Sequence, residues 1–238
     1  MSVFFINRKT LAIKIRILFL AAASISILSP SMPMQAVAEE NNFTDEKVVH
    51  LLEEPRHRTV HQEGDLYLLD VQVNPGDTSF QHVHDQAILL TTIHTGSGPA
   101  YGPVRSIPEY AYEPLTHSVS NAGPGLLRII ALVNGGQGVT DKSDSPKGMR
   151  SDPNIENPWF RSYRLELAPG EQTDLQSHDN HTVVVQGSDG VVHVTREDGL
   201  TRELDSAGEW EWRQPGSTFM VKNMGNLPVI VAINEGRE

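Results

Sequence analysis

Cysteine is absent from the chain. That absence removes disulfides, thiolate nucleophiles and every cysteine-ligated zinc or iron–sulfur centre, so any metal site has to use His and carboxylates. Positive charge is scarce as well. Nineteen Lys and Arg against 30 Asp and Glu leave a formal charge of −11 over 238 residues, too little basic surface for a nucleic-acid partner. Aromatic residues amount to 6%, whereas 19 Gly and 15 Pro are present, which suits a turn-rich β protein better than a helical bundle. No phosphate-binding or dinucleotide-binding glycine pattern occurs, and the serines lack a G-x-S-x-G elbow.

A long apolar run is missing too. Ile17–Leu28 spans 12 residues, short of the roughly 20 that cross a bilayer as a helix. Arg8, Lys9, Lys14 and Arg16 flank this run on one side and Ala36-Val37-Ala38 on the other. Together these are the basic region, apolar region and small-x-small cleavage site of an export signal over residues 1–38. The alternative is an uncleaved N-terminal anchor. Cleavage before Glu39 removes four basic residues and no acid, leaving 200 residues with a charge of −15. The expected location is periplasmic or secreted, with no membrane association after cleavage. Without disulfides, stability there depends on core burial.

What the chain does have is a repeat. Leu69, Val71 and Val73 alternate with polar residues before the turn Pro75-Gly76; Tyr163, Leu165 and Leu167 do the same before Pro169-Gly170. The segments VQVNPGD and LELAPGE are offset by 94 residues, and the same offset carries His84-Asp85 onto His178-Asp179. Asn121-x-Gly123 corresponds to Asn223-x-Gly225 at an offset of 102, and the apolar LLRIIALVNG that follows it corresponds to LPVIVAINEG. A change of eight residues in spacing describes a duplicated β unit with a longer internal loop in its second copy. The polar, Gly- and Pro-rich stretch 135–158 reads as a linker. The expected organisation is a first unit over 39–134 and a second over 159–238, each a small barrel or sandwich of short strands.

The run Gly76-Asp77-Thr78-Ser79-Phe80-Gln81-His82-Val83-His84, continuing to Gly96, resembles the first cupin motif: Gly, five residues, His-x-His, three or four residues, Glu, six residues, Gly. Pro114-Leu115-Thr116-His117-Ser118-Val119-Ser120-Asn121 resembles the second. The same frame recurs from Gly170 to Gly187 and from Pro215 to Asn223. The resemblance covers both units and implies an all-β chain of two tandem cupin-type barrels, of the double-stranded β-helix or jelly-roll kind.

In a strand, residues two apart share a face, so His82 and His84 can present two imidazoles to one point. The resemblance implies that His82, His84 and His117 are ligands of one divalent transition metal, with iron first among iron, manganese, zinc, nickel and copper. The sequence departs from the motif at the acidic ligand: six residues back from Gly96 stands Leu89, beside Ile88. Asp85, Gln86 and His94 are the nearby polar substitutes. Cupin sites with three His and no acid occur in thiol and diketone dioxygenases. In the second unit, His82 maps to Gln176, His84 to His178 and His117 to Phe219, so a metal is not expected there. His178 and His181 read as polar residues in or near a pocket, or as solvated loop residues.

Tyr101, Tyr110, Tyr112, Glu109 and Glu113 lie in the connection before His117, where they can reach a barrel mouth. Tyr112 and Glu113 are the candidate acid–base residues; the plainer reading has the tyrosines packed and the glutamates solvated. His50, His57 and His61 show no ligand-like spacing and receive no role. Trp210 and Trp212 share a strand face, which suits core packing or a subunit interface and is compatible with a homodimer. The resulting expectation is an exported metal-dependent oxidoreductase, dioxygenase-like, acting on a small molecule. A non-catalytic binder of a sugar or similar ligand is the alternative, as is a cupin isomerase or lyase.

Overall fold

The computed structural model describes residues 47–140 and 145–238. The expected signal over residues 1–38 lies outside them. Among the described residues the chain is all-β, and the helical turns are two short 3-10 segments, Leu51–Glu53 and Pro108–Ala111. The first half contains β1 (Val48–His50), β2 (His57–Glu63), β3 (Leu66–Val73), β4 (Gln81–His84), β5 (Ala87–Thr95), β6 (Val104–Ile107), β7 (Leu115–His117) and β8 (Leu127–Asn134). They form a five-stranded sheet in the order β2-β3-β8-β5-β6 and a three-stranded sheet β1-β4-β7.

The second half repeats the plan. It contains β9 (Ile155–Glu156), β10 (Phe160–Leu167), β11 (Gln176–Ser177), β12 (His181–Gln186), β13 (Val192–Arg196), β14 (Thr201–Leu204), β15 (Trp210–Arg213), β16 (Thr218–Asn223) and β17 (Val229–Gly236). Its sheets run β15-β12-β17-β10-β9 and β11-β16-β13-β14. The hairpin β13–β14 lies between β12 and β15, where the first copy passes directly from β5 to β6. That is where the second copy's additional residues go.

The repeat holds at the level of single atoms. The Asn121 amide donates to the carbonyls of Val73 and Gly125, and its oxygen accepts the Gly123 N–H at 3.0 Å. Asn223 makes the same three bonds, to Leu167, Leu227 and Gly225. The N–H of Gly76 donates to the Asn121 carbonyl, as that of Gly170 does to Asn223. Both glycines have φ of +75°, a conformation that strongly favours glycine over residues bearing a Cβ.

Strand alternation sends successive side chains to two different cores. On the first large sheet, Leu66, Leu68, Leu89, Ile130 and Leu132 face one way and meet Phe160, Val183, Val185 and Ala232 of the second large sheet. Leu69, Val71, Ile88, Ala131 and Val133 face the interior of the first barrel. Tyr163, Val184, Phe219, Val231 and Ile233 fill the second. Burial on both faces explains why β8 and β17 read as nearly continuous apolar runs rather than alternating ones. Two tandem cupin-type barrels thus pack large sheet on large sheet. Gly102 and Gly187 let their backbones touch, since a Cβ on Gly102 would lie 2.9 Å from the Gly187 Cα. Arg128 adds a polar tie, binding buried Asp70 while donating to the carbonyls of Ala207 and Gly208.

Truncation of Phe160, fully buried in the face between the barrels, is expected to cost about 3–5 kcal/mol. Urea unfolding of Phe160→Ala measures this, and a loss below about 1 kcal/mol would show that this face is not a desolvated core.

Candidate metal centre

The first barrel's small sheet carries the chemistry. β4 pairs antiparallel with β7 so that His82 stands opposite His117 and His84 opposite Leu115. His82 and His84 lie two apart on one strand and therefore point to the same side. His82 is fully buried, His84 nearly so, and His117 half-buried. One nitrogen from each of the three lies within 4.8 Å of the other two.

The environment sets the rings up as donors. His82 Nδ1–H donates to the Phe80 carbonyl at 2.9 Å, and its buried Nε2 has no partner. The Ser79 hydroxyl stands 3.4 Å from the same Nδ1 and accepts the Val119 N–H at 2.8 Å, joining the two strands behind the ring. His84 Nε2 and His117 Nε2 face each other at 3.0 Å. Two nitrogens each bound at about 2.0–2.1 Å to one ion, at right angles, stand about 3 Å apart, so this pair fits a shared divalent metal. Burial, followed by neighbouring imidazoles, pushes His84 down to about 3 and lowers His117 below the ordinary histidine value. Both rings are therefore neutral near pH 7, the form that binds metal.

The cavity in front of these rings encloses about 230 Å³. Leu51, Val71, Ile88, Leu90, Ile107, Val119 and Ile129 make most of its wall, and Tyr110, Arg105 and His57 complete it. Ile88 stands here close to where the motif would put its acid, while Leu89 points to the core between the barrels. None of the three polar substitutes joins the cluster. Asp85 is exposed and accepts from His50 at 2.9 Å. Gln86 lies against Gly135, and His94 sits at a bulge of β5, bridged to Pro99. Among the described residues the donor set is three imidazoles without a carboxylate.

The structure brings His82, His84 and His117 together and does not bring Tyr112 or Glu113 to them. Both are exposed; the Tyr112 ring packs on Trp159 at 5.3 Å, and Glu113 caps the 3-10 turn through its backbone. Tyr110, from the same turn, is the residue on the wall, with its ring 4.9 Å from that of His84. His57 is the residue that spacing alone missed. It opens β2 opposite Val71, is buried, and sets its ring edge-on to His82 at 4.5 Å. Burial, then His82, holds it down at about 4, and its Nδ1 has no partner.

The second barrel solves the same space differently. Gln176 pairs with Phe219 in the register that His82 and His117 occupy in the first. Both nitrogens of buried His178 are engaged, Nδ1 with Glu235 at 2.6 Å and Nε2 with the Gln176 carbonyl oxygen at 2.9 Å. Arg161 and Asn180 also reach the Glu235 carboxylate. Neither ring nitrogen of His178 is therefore free of a protein partner. A larger surface groove of about 700 Å³ on this barrel is lined by Arg196, Asp198, Glu211 and Arg213, whose charges pair with one another.

No protein-family model and no curated protein sequence matches the chain. Solved structures do. AerE from Microcystis aeruginosa superposes with a TM-score of 0.53 at 10% identity, over 78% of this chain and 99% of that one. A variant of salicylate 1,2-dioxygenase from Pseudoaminobacter salicylatoxidans gives 0.51 at 10% identity, over 72% of this chain and 71% of that one. A single cupin domain from Bordetella pertussis is 20% identical over 42% of this chain and all of its own length, with a TM-score of 0.33. At these identities the likeness concerns the fold.

Titration of the protein with Co(II) is expected to saturate at about one equivalent. His178→Ala should leave that stoichiometry unchanged, and Ser79→Ala should weaken affinity about 10-fold by loosening the support of His82. Two equivalents in the unaltered protein, or loss of binding in His178→Ala, would place metal in the second barrel.

Proposed function

We propose that the protein is an exported, metal-dependent oxidoreductase of dioxygenase type that acts on a small molecule inside the first barrel. The observation that carries this reading is the convergence of three imidazoles on one point at the wall of an apolar cavity. His82, His84 and His117 would hold the ion. A divalent transition metal held there supplies Lewis acidity and, where redox-active, electron transfer to a bound molecule. Iron is the first choice. Three imidazoles and no carboxylate would leave its charge uncompensated and its remaining positions free.

The rest of the wall prepares the bound molecule. Ile88, Leu90, Ile107 and Ile129 exclude water and strengthen every polar contact inside. Tyr110 can donate a hydrogen bond from the rim, and the unpartnered His57 Nδ1 offers a second polar contact beside His82. The fold-level likeness to a salicylate 1,2-dioxygenase supports this choice among cupin activities as analogy. The second barrel, with its former ligand positions closed by the His178–Glu235 pair, acts as a structural partner.

The test is metal loading joined to oxygen uptake. The protein purified from residue 39 onward, reloaded anaerobically with Fe(II), is expected to hold about one equivalent. It should consume oxygen with a small chelating substrate, and His117→Ala should lower that rate more than about 100-fold, beyond what supporting residues alone cause. Retention or reloading below about a tenth of an equivalent of any transition metal contradicts the reading. Full loading with no oxygen uptake would favour an isomerase, a lyase or a binding protein. Expression of the full chain should yield a mature N-terminus at Glu39 by N-terminal sequencing; an intact Met1 in the exported fraction would contradict cleavage.

A further inference from the structure

The first-barrel cavity has an unbalanced charge. Its wall contains no Asp or Glu, three of its imidazoles form the metal-binding cluster, and Arg105 brings a guanidinium. The register of β6 on β5 puts Arg105 opposite Leu90 and Ile107 opposite Ile88. All four line the cavity, so Arg105 extends from the cavity side of the sheet, with its side chain exposed to solvent. Among the described residues it has no hydrogen-bond or ion-pair partner, unlike Arg56, Arg58, Arg128, Arg150 and Arg196, each of which binds a carboxylate. The buried carboxylate of Glu54 acts on His57 from behind the wall but does not line the cavity, and it is held by the Arg56 guanidinium and by the backbone N–H groups of Arg56 and Phe80.

We propose that the ligand of this cavity is a small monocarboxylate with an apolar body, its carboxylate paired with Arg105 and its body lying on Ile88, Leu90, Ile107 and Ile129. The inference rests on the metal reading of the same cavity and adds to it the class of substrate. A divalent ion on three imidazoles plus one guanidinium would place three positive charges on a wall without an anion, an arrangement completed by an anionic ligand. Guanidinium geometry favours carboxylate recognition through two parallel hydrogen bonds. The volume of about 230 Å³ lies below the ~300–1,000 Å³ typical of pockets for drug-sized molecules, so the ligand is small. The apolar wall selects against small hydrophilic anions. Arg105 is accordingly a specificity-determining residue, placed at a distance from the ligand cluster in sequence and on a different sheet.

The experiment compares acids with their uncharged counterparts. Benzoate and hexanoate, with benzamide and hexanamide as matched controls, are titrated calorimetrically into metal-loaded and chelator-treated protein and into Arg105→Gln, with metal content measured on the same samples. The expected result is that at least one acid binds the loaded protein ten-fold or more tighter than its amide. Arg105→Gln should abolish that preference while keeping the metal stoichiometry. Equal binding of acid and amide, binding of neither acid, or an undiminished preference in Arg105→Gln would overturn the proposal. So would inorganic phosphate competing as well as benzoate, since the apolar body would then contribute nothing. Protein that takes up no metal refutes the metal reading separately; the acid–amide comparison on that same protein still decides the role of Arg105.

Discussion

The antiparallel register between β4 and β7 is the constraint on which the site depends. A slip of one residue would turn His82 and His84 to the opposite face and move His117 away from both. Two short strands of four and three residues cannot hold such a register alone. The flanking backbone does so: Gly76 and Asn121 exchange bonds across the turn through the Gly76 N–H and the Asn121 carbonyl, Asn121 returns its N–H to Asp77, and the Ser79 N–H meets the Val119 carbonyl. The buried Asn121 side chain then fastens this segment to the end of β3. The turn chemistry of Pro75-Gly76 and the asparagine thus support the candidate metal site, although neither approaches the cavity.

The duplication supplies an internal control on that argument. The Asn223 clasp reproduces every bond of the Asn121 clasp, and Gln176 faces Phe219 in the same register as His82 and His117. The scaffold is therefore conserved between halves while the contents differ. In the first barrel, burial disfavours the charged forms of His84 and His117, and one nitrogen of each of the three rings faces a common point. In the second, a carboxylate on β17, at the position of Val133 in the first half, brings charge into the interior and consumes the histidine's hydrogen-bonding capacity. A buried carboxylate needs partners, and His178, Asn180 and Arg161 provide them. The difference is one of local electrostatics on a common backbone.

Much of this was legible from residue order. Two motifs, turn residues in step and one displaced spacing located both barrels and nominated His82, His84 and His117. What escaped depends on pairing that sequence spacing does not encode. His57 reaches the cavity because β2 lies against β3 with an irregularity between Thr59 and His61, so its facing cannot be counted along the strand. Tyr110 rather than Tyr112 or Glu113 reaches the wall because Pro108–Ala111 winds into a 3-10 turn, which points residues only two apart in different directions. Arg105 acquires its orientation from the partner strand β5. Ile88 also has a meaning only in the fold, as an apolar residue close to where the motif calls for an acid.

The most direct test is to locate the ion itself. Anomalous diffraction from crystals of the protein grown with Mn(II) or Zn(II) distinguishes the two barrels without assuming any substrate. One strong peak is expected within bonding distance of the Nε2 atoms of His82, His84 and His117, at about 2.0–2.2 Å, and none beside His178. A first barrel without a peak, or a peak in the second barrel next to His178 and Glu235, would contradict it.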